Sequence, residues 1–423
     1  MLQPAFFIAA RILNPSTTTL AIFCKVVDNY GDIGICWRLA RQLRAEHGVA
    51  VTLWVDDLAS FRRICHEVDP AAASQRIDGV EVRHWAGQDG EFTPDDVADI
   101  VIEFFAVDIP PGYVAAMAQR TPRPVWFNLE GLSAEEWVEG CHSLPSPHPS
   151  LPLTKHFFFP GYTERTGGLL LEAGLITQRE AFQADRGAVA EFLARFGVTQ
   201  AEMAATKVSL FCYPHAPVAE LFAAWEQGDA PVVCLVPEGV AADAVQDFFA
   251  ADAAPDDAGA VAASAAPVAA RAGAAHTRGA LTVRVLPFVP QPDYDKLLWA
   301  CDLNFVRGED SWVRAQWARR PFVWHIYPQD ENLHHKKLRA FLDRYVVAQP
   351  ELAPLSAFSL CWNGASDAEQ QGGWPALWSA LQTAAPALAT RAADWQRQVL
   401  AHGDLASNLL AFARSLQLAA SKN

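Results

Sequence analysis

The 423-residue sequence has little positive charge, which argues against several classes of function. Its 33 lysine and arginine residues stand against 48 aspartate and glutamate residues, and the formal net charge is −15. Proteins that bind the phosphate backbone of DNA or RNA need clustered lysine and arginine side chains. We therefore expect no nucleic acid as a partner, while a substrate that carries a basic side chain stays compatible with this charge.

Paired cysteines and long apolar runs are also missing. The eight cysteines include no Cys-x-x-Cys pair, and most of them lie in apolar segments where free thiols commonly pack. This predicts a protein of the reducing cytoplasm without disulfides or a zinc site. Near the N-terminus, Arg11 and Pro15 interrupt the apolar stretch Ala5–Ala10 well short of a membrane span, so we expect a disordered leader over residues 1–20 and no membrane association.

The common fingerprints of nucleotide and metal enzymes do not occur. The sequence has no G-x-G-x-x-G and no G-x-x-x-x-G-K-[ST], which disfavours a nicotinamide dehydrogenase and a P-loop enzyme. It also has no H-E-x-x-H and no G-x-S-x-G. His334 and His335 are adjacent on a predicted helix and point in different directions, so we predict no metal site there.

Apolar strand-like runs alternate with helical patterns in two series. The first series is Leu20–Val27, Val49–Val55, Val80–Trp85, Ile100–Phe105 and Val125–Leu129. The second series is Val208–Tyr213, Val232–Val236, Leu281–Phe288, Leu303–Val306 and Phe322–Ile326. Such alternation predicts an α/β protein with parallel sheets, and a chain of this length exceeds what one core usually organises. We expect two doubly wound domains that face each other across a cleft.

The domain boundaries follow from composition and spacing. We predict an N-terminal domain over residues 21–190 and a C-terminal domain over 205–373. Within the second domain, residues 250–275 are rich in alanine and lack large apolar side chains, so they predict a disordered insertion. Residues 374–423 have apolar side chains at helical spacing, which predicts terminal helices packed on the body.

The first polar loop follows a strand and precedes a helix, where α/β enzymes keep their chemistry. Its residues are Asp28, Asn29, Tyr30, Gly31, Asp32, Ile33 and Gly34. Gly31 and Gly34 allow a tight turn or positive φ angles, and Asp32 could simply cap the helix that follows. Two aspartates four positions apart are more negative charge than one helix start needs, so we favour Asp32 as a general base.

The second polar loop is Arg307-Gly308-Glu309-Asp310-Ser311, again between an apolar run and a helical pattern. Arg307 offers a planar fork of donors for phosphate, and Glu309 and Asp310 offer acceptors. Ser311 and the first amides of the helix could form a seat for an anion. An N-cap with an exposed ion pair is the ordinary alternative.

Three blocks of sequence resemble the EarP family of bacterial protein-arginine rhamnosyltransferases, which modify elongation factor P. The blocks are Phe23–Leu43, Pro287–Trp299 and Phe305–Ser311, within a resemblance that covers nearly the whole chain from Ala21 onward. The resemblance implies a GT-B fold of two facing Rossmann-like domains. It also implies dTDP-β-L-rhamnose as the donor, inversion at the anomeric carbon, and no metal or other cofactor.

Individual residues match the family's functional positions. Asp32 matches the catalytic base and Asp28 its acidic neighbour, while Asn29, Tyr30, Gly31 and Gly34 shape their loop. The positions that match the family's donor site are Tyr213, Phe288, Gln291, Arg307, Glu309, Asp310 and Ser311. Among them, Phe288 and Gln291 match positions around the thymidine, and the four from Arg307 to Ser311 match the diphosphate side.

The expected activity is therefore transfer of L-rhamnose to an arginine in the N-terminal domain of elongation factor P, which activates the factor for translation of polyproline stretches. One alternative is a GT-B transferase with another donor or acceptor. Another is a non-catalytic nucleotide-sugar-binding module that recruits a translation factor. Asp32 weighs against the binding module, since binding alone needs no base at that position.

Overall fold

The computed structural model describes residues 18–27, 30–250 and 270–421. Residues 1–17 of the predicted leader and 251–269 of the predicted alanine-rich insertion lie outside the described residues, as do Asp28 and Asn29. Thr19 and Leu20, inside the predicted leader, already belong to a strand, and Ala250 and Ala275 at the ends of the predicted insertion belong to a helix and a strand. Within the described residues, the chain forms two mostly parallel sheets flanked by helices. The predicted α/β architecture with two doubly wound sheets is confirmed.

The first sheet is built from the first eight strands. They are β1 (Thr19–Cys24), β2 (Ala50–Val55), β3 (Ser74–Ile77), β4 (Val80–His84), β5 (Ile100–Phe104), β6 (Val125–Leu129), β7 (Pro145–Pro147) and β8 (Thr154–Phe158). Their order is β3-β4-β2-β1-β5-β6-β8-β7, and the described pairs are parallel except β3 with β4 and β7 with β8. The associated helices are α1 (Gly31–His47), α2 (Leu58–Ile64), α3 (Pro111–Gln119) and α4 (Trp137–Cys141).

Two helices then lead to the second sheet. These are α5 (Leu175–Ala184) and α6 (Arg186–Ala194). The strands of the second sheet are β9 (Thr206–Leu210), β10 (Val232–Pro237), β11 (Ala275–Arg278), β12 (Leu281–Leu286), β13 (Leu303–Arg307) and β14 (Phe322–His325). Their order is β11-β12-β10-β9-β13-β14, with β11 antiparallel to β12.

Nine helices accompany or follow the second sheet among the described residues. They are α7 (Val218–Glu226), α8 (Ala242–Ala250), α9 (Gln291–Ala300), α10 (Asp310–Trp317), α11 (Leu333–Val346), α12 (Ala353–Trp362), α13 (Gly373–Thr383), α14 (Ala385–Leu400) and α15 (Leu405–Ala420). Helices α13 and α14 bury side chains in the core of the second sheet. Helix α15 instead packs in the core of the first sheet, so the end of the chain returns to the N-terminal half.

The strand order explains where a ligand can bind. Strand β1 lies between β2 and β5, and β9 lies between β10 and β13, so each sheet reverses its strand order beside its central strand. Ligands of open α/β sheets bind at such reversals, beyond the carboxyl ends of the strands. The loop from β1 to α1 and the loop from β13 to α10 both leave these carboxyl ends, and they carry the two predicted polar clusters.

Sequence patterns did not predict every strand. The structure has strands at β3, β7, β8 and β11, where no strand was expected. Strands β3, β7 and β11 are short antiparallel edge strands with polar or proline-containing sequences. An edge strand needs little apolar alternation, because one of its sides has no neighbouring strand to pair with.

Candidate active site

The first polar loop places Asp32 in the first turn of α1. The side chain is buried, with 4% of the residue exposed, and its Oδ2 accepts a hydrogen bond of 2.7 Å from the backbone N–H of Val27. Helix α1 begins at Gly31, and Tyr30 occupies the N-cap position without a side-chain cap bond. The alternative that Asp32 serves as the N-cap is therefore wrong: its carboxylate binds the loop that enters the helix.

Gly34 lies one turn into α1, where the two domains touch. A Cβ atom at this position would lie 3.2 Å from Cγ and Oδ2 of Asp310 in the other domain. The carbonyl of Gly34 also accepts a hydrogen bond of 3.1 Å from Nε2 of Gln291. Gly31 and Gly34 both have helical backbone angles, so of the two predicted possibilities, a tight turn or a positive φ, the positive φ is not used. At Gly34 the useful property is the missing side chain.

The second polar loop ends β13 and begins α10. The guanidinium of Arg307 donates a hydrogen bond of 2.9 Å to the carbonyl of Cys212 and lies 4.3 Å and 4.9 Å from the ring centres of Phe211 and Tyr213. Stacking on two rings holds the cation in a fixed orientation. Ser311 turns its hydroxyl back to the loop, where Oγ accepts from the N–H of Arg307 at 3.0 Å. Tyr213 thus contributes to the site by orienting the guanidinium of Arg307.

Glu309 extends from this loop toward the N-terminal domain. Its Oε2 lies 3.1 Å from the position that a Cβ on Gly131 would occupy. Burial, together with the nearby charge of Asp32, raises the pKa of Glu309 to about 8, although a hydrogen bond from the backbone of Leu132 opposes the shift. Carboxylates from the two domains are therefore close enough to interact.

A pocket between the domains connects the two loops. Its lining is Tyr30, Gly31, Ile64, Phe211, Pro237, Phe288, Val289, Gln291, Tyr294, Arg307, Asp310 and Ser311. The rings of Tyr30 and Phe288, one from each domain, lie 4.9 Å apart between their centres. The buried Oε1 of Gln291 has no hydrogen-bond partner within the described residues. The pocket therefore offers rings, an amide and a cation, which suit a base and a phosphate.

The predicted site residues are brought together to different degrees. Seven of them line this pocket: Tyr30, Gly31, Phe288, Gln291, Arg307, Asp310 and Ser311. Asp32, Gly34, Tyr213 and Glu309 are adjacent through the contacts given above. Phe211 and Ile64 were missed by sequence reasoning. Phe211 directly follows β9 and could have been found from its place at a strand end, whereas Ile64 ends α2 and carries no such signal.

Metal binding and membrane insertion have no structural counterpart in the described part of the chain. No group of three or more histidine, cysteine, aspartate or glutamate side chains within it is arranged to hold a metal ion. His334 accepts a hydrogen bond from the N–H of Gln329 at 3.1 Å, and His335 contacts the carbonyl of Asn363 at 3.0 Å. Among the described residues, no helix is both long enough and apolar enough to cross a membrane.

Comparison with known proteins identifies the family. Residues 20–414 match the family model described as elongation factor P rhamnosyltransferase EarP. The chain belongs to the EarP family. It is 46% identical over 399 residues to a protein-arginine rhamnosyltransferase of Pseudomonas putida, with 94% of this chain and 99% of that protein covered. The Pseudomonas aeruginosa relative of the same name is also 46% identical, over 92% of this chain and 97% of its own.

A solved structure supports the same conclusion. It is described as the structural basis for EarP-mediated arginine glycosylation of translation elongation factor EF-P, and it matches with a TM-score of 0.62 and 33% identity. The match covers 94% of this chain and 99% of the solved one. The predicted GT-B fold and the prediction of a glycosyltransferase of this family are confirmed. The roles of the individual side chains stay predictions.

Proposed function

We propose that the protein transfers L-rhamnose from dTDP-β-L-rhamnose to an arginine side chain of elongation factor P, with inversion at the anomeric carbon and without a metal ion. Membership of the EarP family supports this proposal, since the family model is described by that factor and that sugar. The observation that carries it is the pocket between the domains. On one side, buried Asp32 directly follows Gly31 of the pocket lining, and on the other side Arg307 lines the pocket and stacks on Phe211.

The chemistry of the acceptor defines what Asp32 has to do. An arginine guanidinium has a pKa above about 12, so a carboxylate does not deprotonate it before the reaction. Asp32 instead orients one nitrogen, keeps the cation near the anomeric carbon, and takes the proton as the new C–N bond forms. Attack from the face opposite the diphosphate inverts the configuration. Burial of Asp32 favours this role, because a carboxylate with little water around it holds a cation more strongly.

The leaving group needs positive charge on the other side of the pocket. As the C–O bond to the diphosphate breaks, negative charge develops on its oxygens. Arg307 is oriented by Phe211, Tyr213 and the carbonyl of Cys212, and the first amides of α10 follow directly in the chain. We assign the diphosphate to this end, and the thymine to the rings of Tyr30 and Phe288 with Gln291 as its amide partner.

An intact-mass measurement tests the proposed function. Elongation factor P is co-expressed with the enzyme in a host that makes dTDP-L-rhamnose, and we expect a mass gain of one deoxyhexose that maps to an arginine after digestion. A gain of another mass would mean a transferase with a different donor. An unmodified factor together with measurable dTDP binding would favour the non-catalytic binding module and would contradict the proposal.

The donor assignment has its own test in Arg307→Ala. Removing one charge-assisted partner should weaken dTDP binding by about 1.5–3 kcal/mol and should lower turnover as well. Arg397→Ala is the control, because this exposed side chain pairs with Asp394 of its own helix α14 and both residues lie outside the pocket lining. Calorimetry with unchanged dTDP affinity for Arg307→Ala would refute the assignment.

We expect the acceptor to be recognised as a folded protein. Contacts beyond the arginine help to position one side chain for attack, so they contribute to kcat/KM. Free arginine or a short peptide should therefore react far more slowly than the N-terminal domain of elongation factor P. Comparable kcat/KM values for peptide and domain would mean that the enzyme recognises only the local sequence around the arginine, which would contradict this expectation.

A further inference from the structure

Five charged side chains form a cluster where the two domains meet. We call it the interdomain ion cluster; its members are Arg38, Glu172, Asp295, Asp310 and Arg314. Arg38 belongs to α1, the helix that begins at Gly31 and carries Asp32 in its first turn. Asp295 belongs to α9, Asp310 and Arg314 belong to α10, and Glu172 lies between the two sheets in the chain.

Arg38 uses its whole guanidinium fork on the other domain. Its Nε donates to Oδ1 of Asp310 at 2.8 Å, and its two terminal nitrogens donate to the carboxylate oxygens of Asp295 at 3.1 Å each. Only 3% of the arginine is exposed. Such a buried bidentate contact fixes both the direction and the distance between the helices that it joins.

The second arginine of the cluster duplicates some of these contacts but not all. Arg314 donates to Asp295 at 2.9 Å and 2.7 Å and also pairs with Glu172. Asp310 differs from the other two carboxylates: among the described residues, its ion pair is with Arg38 and not with Arg314. Removing Arg38 would therefore leave Asp295 and Glu172 with a cation in contact, and Asp310 without one.

Asp310 is the member of the cluster that reaches the candidate active site. It lines the pocket together with Arg307 and Ser311. The cluster holds two cations and three carboxylates, so its carboxylates already outnumber its cations when Arg38 is present. A carboxylate without a cation at this position would repel the diphosphate of a nucleotide sugar.

We propose that Arg38 is a positioning residue of the donor site: it neutralises Asp310 and holds the second polar loop, Arg307–Ser311, against the helix that carries Asp32. This inference rests on the proposed function, since it needs an anionic donor in the pocket. This role differs from a purely stabilising one. An arginine that only stabilised the contact between the domains would affect folding, and dTDP affinity would not depend on the charge of Asp310.

Calorimetry with dTDP and transfer kinetics on the full-length protein test the proposal. We expect Arg38→Met to bind dTDP on the order of 10-fold more weakly or worse at pH values where Asp310 stays ionised, since its unpaired charge then faces the ligand. Burial raises the pKa of Asp310 and the loss of the Arg38 charge raises it further, so the difference from wild type should grow as the pH rises. Arg41→Met is the matched control on the same helix: it removes a solvent-exposed pair with Asp78 and should bind dTDP as the wild type does.

A second substitution separates charge from structure. In Arg38→Met/Asp310→Asn the unpaired carboxylate is gone, so most of the lost dTDP affinity should return. If the double variant binds no better than Arg38→Met, the neutralising role is wrong. Unchanged dTDP affinity in Arg38→Met itself would overturn the proposal as a whole.

Arg38→Lys covers the case in which Arg38→Met does not fold. Lysine keeps the charge but lacks the fork, so dTDP affinity should stay within about 3-fold of wild type while kcat falls. An unchanged kcat, or a dTDP affinity that falls by more than 10-fold, would overturn the proposal. If the wild type binds no dTDP, the proposed donor is wrong, and the same variants compared with pyrophosphate decide the role of Arg38.

Discussion

Two aspartates bind the loop that follows β1 in the same way. Asp32 accepts the N–H of Val27 at 2.7 Å, and Asp56 accepts the N–H of Val26 at 2.8 Å. Their position differs: Asp32 begins the helix at the domain contact, whereas Asp56 follows β2. This pair separates the structural task of holding the loop from the chemical task that we assign to Asp32.

Asp32→Asn should lower turnover by about 100-fold or more and leave dTDP affinity nearly unchanged. The amide keeps an acceptor for Val27 but cannot take a proton from the acceptor guanidinium. Asp56→Asn, as the control, should retain turnover within a few-fold. Rates come from intact-mass time courses and affinities from calorimetry. Equal losses in both variants would assign Asp32 to loop structure alone.

The raised pKa of Glu309 predicts that the free energy of unfolding depends on pH. Its pKa rises from the ordinary 4.5 to about 8 in the folded protein, so the folded state holds a proton that the unfolded state has lost between these values. The stabilisation is complete below pH 4.5 and declines as the pH rises toward 8, by up to about 1.4 kcal/mol per pH unit. Glu309→Gln should therefore gain stability relative to wild type as the pH increases from about 5 to 8.5.

Thermal unfolding at a series of pH values provides the measurement for Glu309. The difference in Tm between Glu309→Gln and wild type should grow across this range. Glu135→Gln is a suitable control, because this side chain accepts a short-range bond from Ser133. Parallel pH profiles for Glu309→Gln and wild type would contradict the prediction.

Helices α1 and α10 meet at their first turns, and this contact joins the turn that carries Asp32 to the second polar loop. Gly34 permits it, because the missing side chain leaves room for Asp310. The same approach lets Gln291 bond the carbonyl of Gly34 across the domains. A helix would ordinarily favour alanine over glycine by about 0.5–1 kcal/mol, so the glycine has a packing reason.

Gly34→Ala should lower both dTDP affinity and turnover several-fold. The new methyl group would approach Asp310 at 3.2 Å, so Asp310 has to shift by a few tenths of an ångström in a buried contact. Gly140→Ala in α4 is the control, since a Cβ there has no neighbouring atom within 4 Å. Wild-type kinetics for Gly34→Ala would mean that the helix contact tolerates more space than we infer.

The last helix of the chain stabilises the first sheet. Leu405, Leu409 and Leu410 of α15 are buried in the core formed by the N-terminal strands and α1. The ring of Phe412 lies 5.7 Å from that of Phe127 in β6. Helix α15 therefore connects the C-terminal half of the chain to the N-terminal half. The N-terminal core is completed by residues nearly 400 positions from β1.

Leu409→Ala should reduce the free energy of unfolding by about 2–5 kcal/mol, because the residue is fully buried and its removal leaves a cavity. Leu418→Ala on the same helix is the control: the side chain is 63% exposed, so the change should stay within about 0.5 kcal/mol. Urea unfolding measures both. Similar values for the two variants would mean that α15 adds little to the first core.

The sequence alone determined the features that depend on neighbouring residues. Alternating apolar runs predicted the central strands of both sheets, because a strand buried on both faces needs an almost continuous apolar sequence. The polar loops were predicted at the ends of β1 and β13, where the chain leaves each sheet. The chemistry of these loops predicted Asp32 as a general base and Arg307 as a phosphate contact, and resemblance to the family added further positions, among them Tyr213.

Tertiary structure decided everything that joins distant segments. Arg38 and Asp310 are 272 residues apart, and no local pattern indicates that they pair. The reach of Glu309 to Leu132, the stacking of Arg307 on Phe211, and the return of α15 to the first sheet are of the same kind. Local sequence reports burial and turn chemistry along one segment, whereas these contacts exist because two separately folded surfaces fit against each other.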